Sequence, residues 1–117
     1  MATGTIQKLN DKVLSRTFPA WCMIGMCNVD SNLIRFVVQA PTLASGTYTM
    51  PNSFNAQIYH SDGKLSDATF TVSNVTRPAN TDCILITTNR PSGMQSGVAG
   101  IFRFKESVTI SVSQIAE

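Results

Sequence analysis

The residues able to do chemistry are few. His60-Ser61-Asp62 hold the three residue types of a hydrolase triad. They are consecutive, however, and a triad needs them converging from separate segments. Asp62 followed by Gly63 is explained by a turn, and His60 is expected as an exposed hairpin residue. Cys22, Cys27, Cys83 and His60 together could make a Cys3His zinc site. Cys22 and Cys27 lie five positions apart, so a regular strand would point them to opposite faces. The three cysteines are therefore expected as reduced, buried small hydrophobes, with no metal bound. With one histidine in the chain, no His-His metal site exists within it. Asp62 and Asp67 straddle one hairpin, whereas a glycosidase needs two carboxylates facing across a cleft. Asn74-Val75-Thr76 matches a glycosylation sequon that carries no meaning without export. No G-x-S-x-G, P-loop or dinucleotide glycine motif occurs. The expectation is a protein that is not an enzyme and uses no cofactor.

The cations and aromatics are compatible with two binding chemistries. Arg35, Arg103 and Lys105 share strands with Phe36 and Phe104, a mixture that could stack single-stranded nucleic acid. Period 2 puts those aromatics on the face opposite the cations, so the two cannot form one surface. Nucleic acid is not an expected partner. A carbohydrate-binding β-sandwich would instead stack Trp21, Tyr48 or Tyr59 on sugars. Trp21 sits in the most apolar run, Ala20 to Cys27, and is expected to pack in a core.

The elements that must position these residues are strands. Of 117 residues, 43% are hydrophobic and 14% charged, against a globular norm near 25% charged. Serine and threonine fill the gap, which suits sheets with uncharged outer faces. Val108, Ile110 and Val112 alternate with Ser107, Thr109, Ser111 and Ser113. Ile34, Phe36 and Val38 alternate with Arg35 and Gln39, and Phe70 and Val72 with Thr69, Thr71 and Ser73. Each pattern predicts a strand with one buried and one wet face. Cys83-Ile84-Leu85-Ile86 is apolar on both faces and reads as a central strand or one facing a neighbouring chain. Asp62-Gly63 predicts a hairpin turn. Many short strands between close-spaced breakers predict an all-β, antiparallel β-sandwich or jelly roll. No apolar run reaches the roughly 18 residues that cross a bilayer, so membrane insertion is not expected.

The net charge of +2 lies at the N-terminus, where Lys8, Lys12 and Arg16 outweigh Asp11. The remaining six cations and six anions cancel. Phe18-Pro19 marks the expected boundary between an N-terminal arm (1–18) and a β-sandwich body (19–117). In the arm, Ile6, Leu9 and Val13 fall at helical spacing, as do Lys8, Lys12 and Arg16. A short amphipathic helix and an extended pairing arm are both open. These six residues, Ile6, Lys8, Leu9, Lys12, Val13 and Arg16, are the expected oligomerisation and attachment site.

The opening Met1-Ala2-Thr3-Gly4-Thr5-Ile6-Gln7-Lys8-Leu9 and the alternating strands after Trp21 resemble the small structural proteins of tailed bacteriophages. These are head fibres, decoration proteins and terminal domains of tail fibres or receptor-binding proteins. The resemblance implies a homo-oligomer, most often a trimer, attached to a virion by its N-terminal segment. Its partners would be itself, other virion proteins and a host-surface glycan or receptor. Its place would be the virion, assembled in the host cytoplasm without a signal peptide. A capsid-shell protein with a genome-facing arm stays open as an alternative.

Overall fold

A computed structural model describes residues 8, 9 and 12–113. The described chain is all β, and its ladders between named strands are antiparallel. In order, the strands are β1 (Lys8–Leu9), β2 (Lys12–Val13), β3 (Ser15–Phe18), β4 (Met23–Val29), β5 (Leu33–Gln39), β6 (Thr47–Thr49), β7 (Ser53–His60), β8 (Leu65–Thr76), β9 (Cys83–Asn89), β10 (Val98–Phe104) and β11 (Val108–Ser113).

Six of them close on themselves in the order β10-β4-β5-β9-β8-β7, while β3-β11-β6 form a separate three-stranded sheet. The expected antiparallel strands are present, but the main unit is a closed barrel rather than two facing sheets. Closure comes from β10, which pairs with β4 along one edge and with β7 along the other. A barrel leaves no free edge where its ladder is complete.

The barrel is small enough for side chains to fill it. All six phenylalanines of the chain are buried. Phe36 meets Phe54, Phe70 and Phe102 edge-on, with ring centroids 4.8–5.3 Å apart. Phe104 meets Phe54 at 5.1 Å and reaches Phe18 of the small sheet at 6.4 Å. Edge-to-face pairs of this kind add about 0.5–1.5 kcal/mol each beyond burial. Through Phe18, with Val108, Ile110 and Val112 of β11, the small sheet joins the same core. Ile34, Val38 and Phe70 are buried as their alternation predicts, while Val72 packs against the core only in part. Arg35 and Arg103 lie on strand faces opposite the buried Phe36, Phe102 and Phe104, and Lys105 directly follows β10. Ile84 and Ile86 point inward from β9, with Cys83 and Leu85 half-buried on its outside.

The Asp62-Gly63 hairpin forms between β7 and β8, through a three-residue loop. The His60 N–H donates to Lys64 O at 2.8 Å, the Gly63 N–H donates to His60 O at 2.9 Å, and Gly63 adopts φ +93°. That is a turn closed by a bulge, where positive φ favours glycine.

Several residues expected in an arm belong to the body. β3 pairs with β11 from Ser15↔Ser111 to Phe18↔Val108. The Val13 N–H donates to Thr42 O, the Ala44 N–H donates to Val13 O, and both Val13 and Leu14 pack on the core. Arg16 donates from Nη1 to Gln39 O at 3.2 Å and lies over the Phe18 ring. Lys8 and Leu9 pair with Val13 and Lys12 as a two-residue ladder, so this stretch is extended rather than helical. Ile6 lies outside the described residues.

Candidate functional site

The outer wall of the barrel carries the least expected side chains. Ile101 of β10 stands opposite Met26 of β4 and opposite Tyr59 of β7. Tyr59 stands opposite Leu65, Met26 opposite Val37, and Val37 opposite Leu85. Leu65, Tyr59, Ile101, Met26, Val37 and Leu85 thus form one cross-strand row over all six barrel strands. The row returns to β8 beside Thr76 rather than Leu65, the stagger that barrel closure requires. Met26 is 61% exposed, Leu65 52% and Ile101 45%. The small sheet shows the ordinary alternative, for on β11 the outward residues are Thr109, Ser111 and Ser113.

The neighbouring row runs Asp67, Gln57, Arg103, Met23 across β8, β7, β10 and β4, polar on the first three of these strands. Gln57 Oε1 accepts from Arg103 Nε at 3.0 Å and Nη2 at 2.9 Å, and Gln57 Nε2 donates to Asp67 Oδ2 at 3.0 Å. Lys105 Nζ donates to Asp67 Oδ1 at 2.8 Å. The Lys105 ammonium, then the Gln57 amide, hold the Asp67 carboxyl below its ordinary 3.8.

Trp21 stands over this row and corrects the expectation of a core residue. It is 51% exposed, and the Arg103 guanidinium lies 5.2 Å from its ring centroid and 5.3 Å from that of Tyr59. The cause is local. β4 carries an extra residue at Ile24, because Phe102 pairs with Gly25 while Arg103 pairs with Met23. Such a bulge bends a strand and re-aims the side chains that precede it. Trp21 then donates its N–H to Phe104 O at 2.8 Å and takes φ +65°, a conformation costly for a residue with a Cβ. Period-2 reading carries no signal for this, since Trp21 precedes the strand.

His60 is buried, not exposed. It continues the inward set Phe54, Ala56, Ile58, a parity readable in the sequence. One ring nitrogen, Nε2, is 2.6 Å from Ser66 Oγ, and Nδ1 is buried with no partner among the described residues. A Ser-His catalytic pair needs a group behind the imidazole to orient it. Here none of the described residues does so, and Ser61 and Asp62 stay in the turn. Asp62 accepts from the Lys64 N–H, the main cause that keeps its carboxyl below 3.8.

The cysteines are all free, with Cys22 exposed, Cys83 half-buried and Cys27 buried. Cys22 therefore departs from the buried expectation. Desolvation pushes the Cys27 thiol up to about 12, despite a backbone contact at Gly100 that lowers it. Among the described residues no group of three or more His, Cys, Asp or Glu side chains is placed to hold a metal ion. Those residues also include no helix long and apolar enough to cross a membrane.

A groove of about 790 Å³ separates β6 from the second half of β8. Arg77 lines it and donates to Tyr48 Oη at 3.0 Å, Ala40 O and Thr81 O at 3.2 Å, and Leu43 O. Tyr48 in turn donates to Ala44 O at 2.7 Å. Both side chains tie the β6 loop to the barrel, so Tyr48 is a structural residue. Of the three aromatics considered for sugar stacking, the structure brings Trp21 and Tyr59 together and leaves Tyr48 apart. Comparison with protein-family models, with curated proteins and with solved structures finds no match for the chain.

Proposed function

We propose that the chain is a non-enzymatic structural protein of a tailed-phage virion, a head decoration or fibre protein or a tail-fibre tip, working as a homotrimer. The observation that carries self-association is an apolar patch on the barrel's outer wall. A strand whose outer face is destined for water carries Thr and Ser, as β11 does. Met23, Met26, Val37 and Ile101 instead make an apolar patch on β4, β5 and β10. Arg35 and Asp30 beside it are paired with each other, and the six cations and six anions after residue 18 cancel. Copies therefore approach without net repulsion. Burying the exposed halves of Met23, Met26 and Ile101 contributes about 1 kcal/mol each, and thioether chains adapt to an irregular partner surface. Other virion proteins are met through the N-terminal segment, with Ile6, Lys8, Leu9 and Lys12 as the attachment residues. Val13 and Arg16, held in the body, anchor that segment at its root.

The test is the mass of the protein in solution beside that of a Met26→Glu variant. Wild type is expected at three times the 12.7 kDa chain mass, and the variant at one chain with an unchanged circular dichroism spectrum. A monomeric wild type overturns the reading.

A further inference from the structure

We propose that Trp21, Arg103 and Tyr59 form a binding site for an acidic saccharide, a pyranose bearing a carboxylate. The site goes beyond self-association and borders its patch, for Ile101 stands opposite Tyr59 and Met23 opposite Arg103, while Met26 and Val37 lie two and three strands from Tyr59 around the barrel.

Arg103 is the first reason. Its Nε and Nη2 bond neutral oxygens of Gln57 and Tyr59. No carboxylate among the described residues pairs with it, because the ion pairs there are Arg35–Asp30 and Lys105–Asp67. Gln57 stands between Arg103 and Asp67, holding each at one end of its amide. The two N–H groups of Nη1 are left without an acceptor among the described residues, on a guanidinium flanked by two rings. A planar cation so placed is matched by a planar anion.

The two rings are the second reason. Flat aromatic faces take the C–H side of a pyranose, as amphipathic rings do wherever one face of a ligand is apolar and its edges are wet. Trp21 keeps half its surface open while Arg103 covers part of the rest. Its positive φ is the third reason, because strain of this kind persists at sites where position matters.

The surroundings disfavour a nucleic acid. Asp67 and Glu106 lie along the same outer wall, each bonded to a strand neighbour, Gln57 and Asn55 respectively. A chain of phosphates needs several cations, and here Lys105 is already taken by Asp67, which leaves Arg103 to meet one carboxylate.

Trp21 is the chain's one tryptophan, so its fluorescence reads the site directly. Full-length protein is titrated with a glucuronic-acid-containing oligosaccharide, with its neutral glucose counterpart and with a single-stranded oligonucleotide. The acidic sugar is expected to change the emission saturably, with the neutral one at least roughly tenfold weaker, the effect of losing one charge-assisted contact. Arg103→Gln should abolish that preference, and Arg103→Lys should restore part of it. In both variants the unliganded melting curve shows whether the barrel is intact. Equal binding of both sugars, or no saturable change with either, overturns the proposal. Stronger binding by the oligonucleotide overturns it in favour of nucleic acid. A Trp21→Ala variant whose mass in solution falls would also overturn it, by assigning Trp21 to the contact between copies.

Discussion

Trp21 concentrates what is unusual at the scale of single residues. Its backbone sits at φ +65° in a place where glycine would be relaxed. Trp21→Ala removes the ring and keeps the strain, while Trp21→Gly removes both. The glycine variant is therefore expected to be the more stable of the two by about 1 kcal/mol, read from paired thermal melts. An alanine variant as stable as the glycine one would mean the backbone there is unstrained. Asp67 and Asp62 make a second residue-scale test. Both carboxyls sit below 3.8 in the folded chain, Asp67 through Lys105 and then Gln57, Asp62 chiefly through the Lys64 N–H. A lowered folded value stabilises the native state above 3.8, and that contribution is lost as pH falls through the lower folded values. Melting temperature should hold from pH 7 to about 5 and fall below 3.8, less steeply in Asp67→Asn. A variant with the same slope as wild type would show that the Lys105–Asp67 pair contributes nothing.

The strand elements rest on a few close backbone approaches. A Cβ placed on Gly25 would lie 1.9 Å from the Val37 backbone oxygen. Gly25→Ala must therefore push β4 off β5, and a loss of about 3 kcal/mol is expected, measured as a fall in the calorimetric melting temperature. An unchanged melting point would contradict the β4–β5 register. The alternation of Ile34, Phe36 and Val38, or of Val108, Ile110 and Val112, is legible in the sequence because period 2 is a local property. So is the hairpin at Asp62-Gly63. Barrel closure is not legible, because it depends on β10 finding both β4 and β7 at long sequence separation. Nor is the outward aim of Met23, since the bulge at Ile24 shifts the face that alternation from Cys27 assigns, or that of Trp21, which precedes the strand. His60 is legible through its parity with Ile58, which places it inside, against its nearness to a turn, which points to the surface.

For the whole molecule, the segment before the barrel divides in two. Val13 to Phe18 belong to the core and the small sheet, so removing residues 1–16 should unfold the small sheet rather than only detach an arm. Cutting before Val13 keeps those contacts while removing Ile6, Lys8, Leu9 and Lys12, and is the deletion that tests attachment to virions. The apolar patch of Met23, Met26, Val37 and Ile101 on the outer wall is predicted to be covered by further copies of the chain. Sedimentation equilibrium of the full-length protein measures this most directly. The predicted mass is three times 12.7 kDa, falling to a single chain in Met26→Glu. A wild-type mass of 12.7 kDa across the concentration range would contradict it.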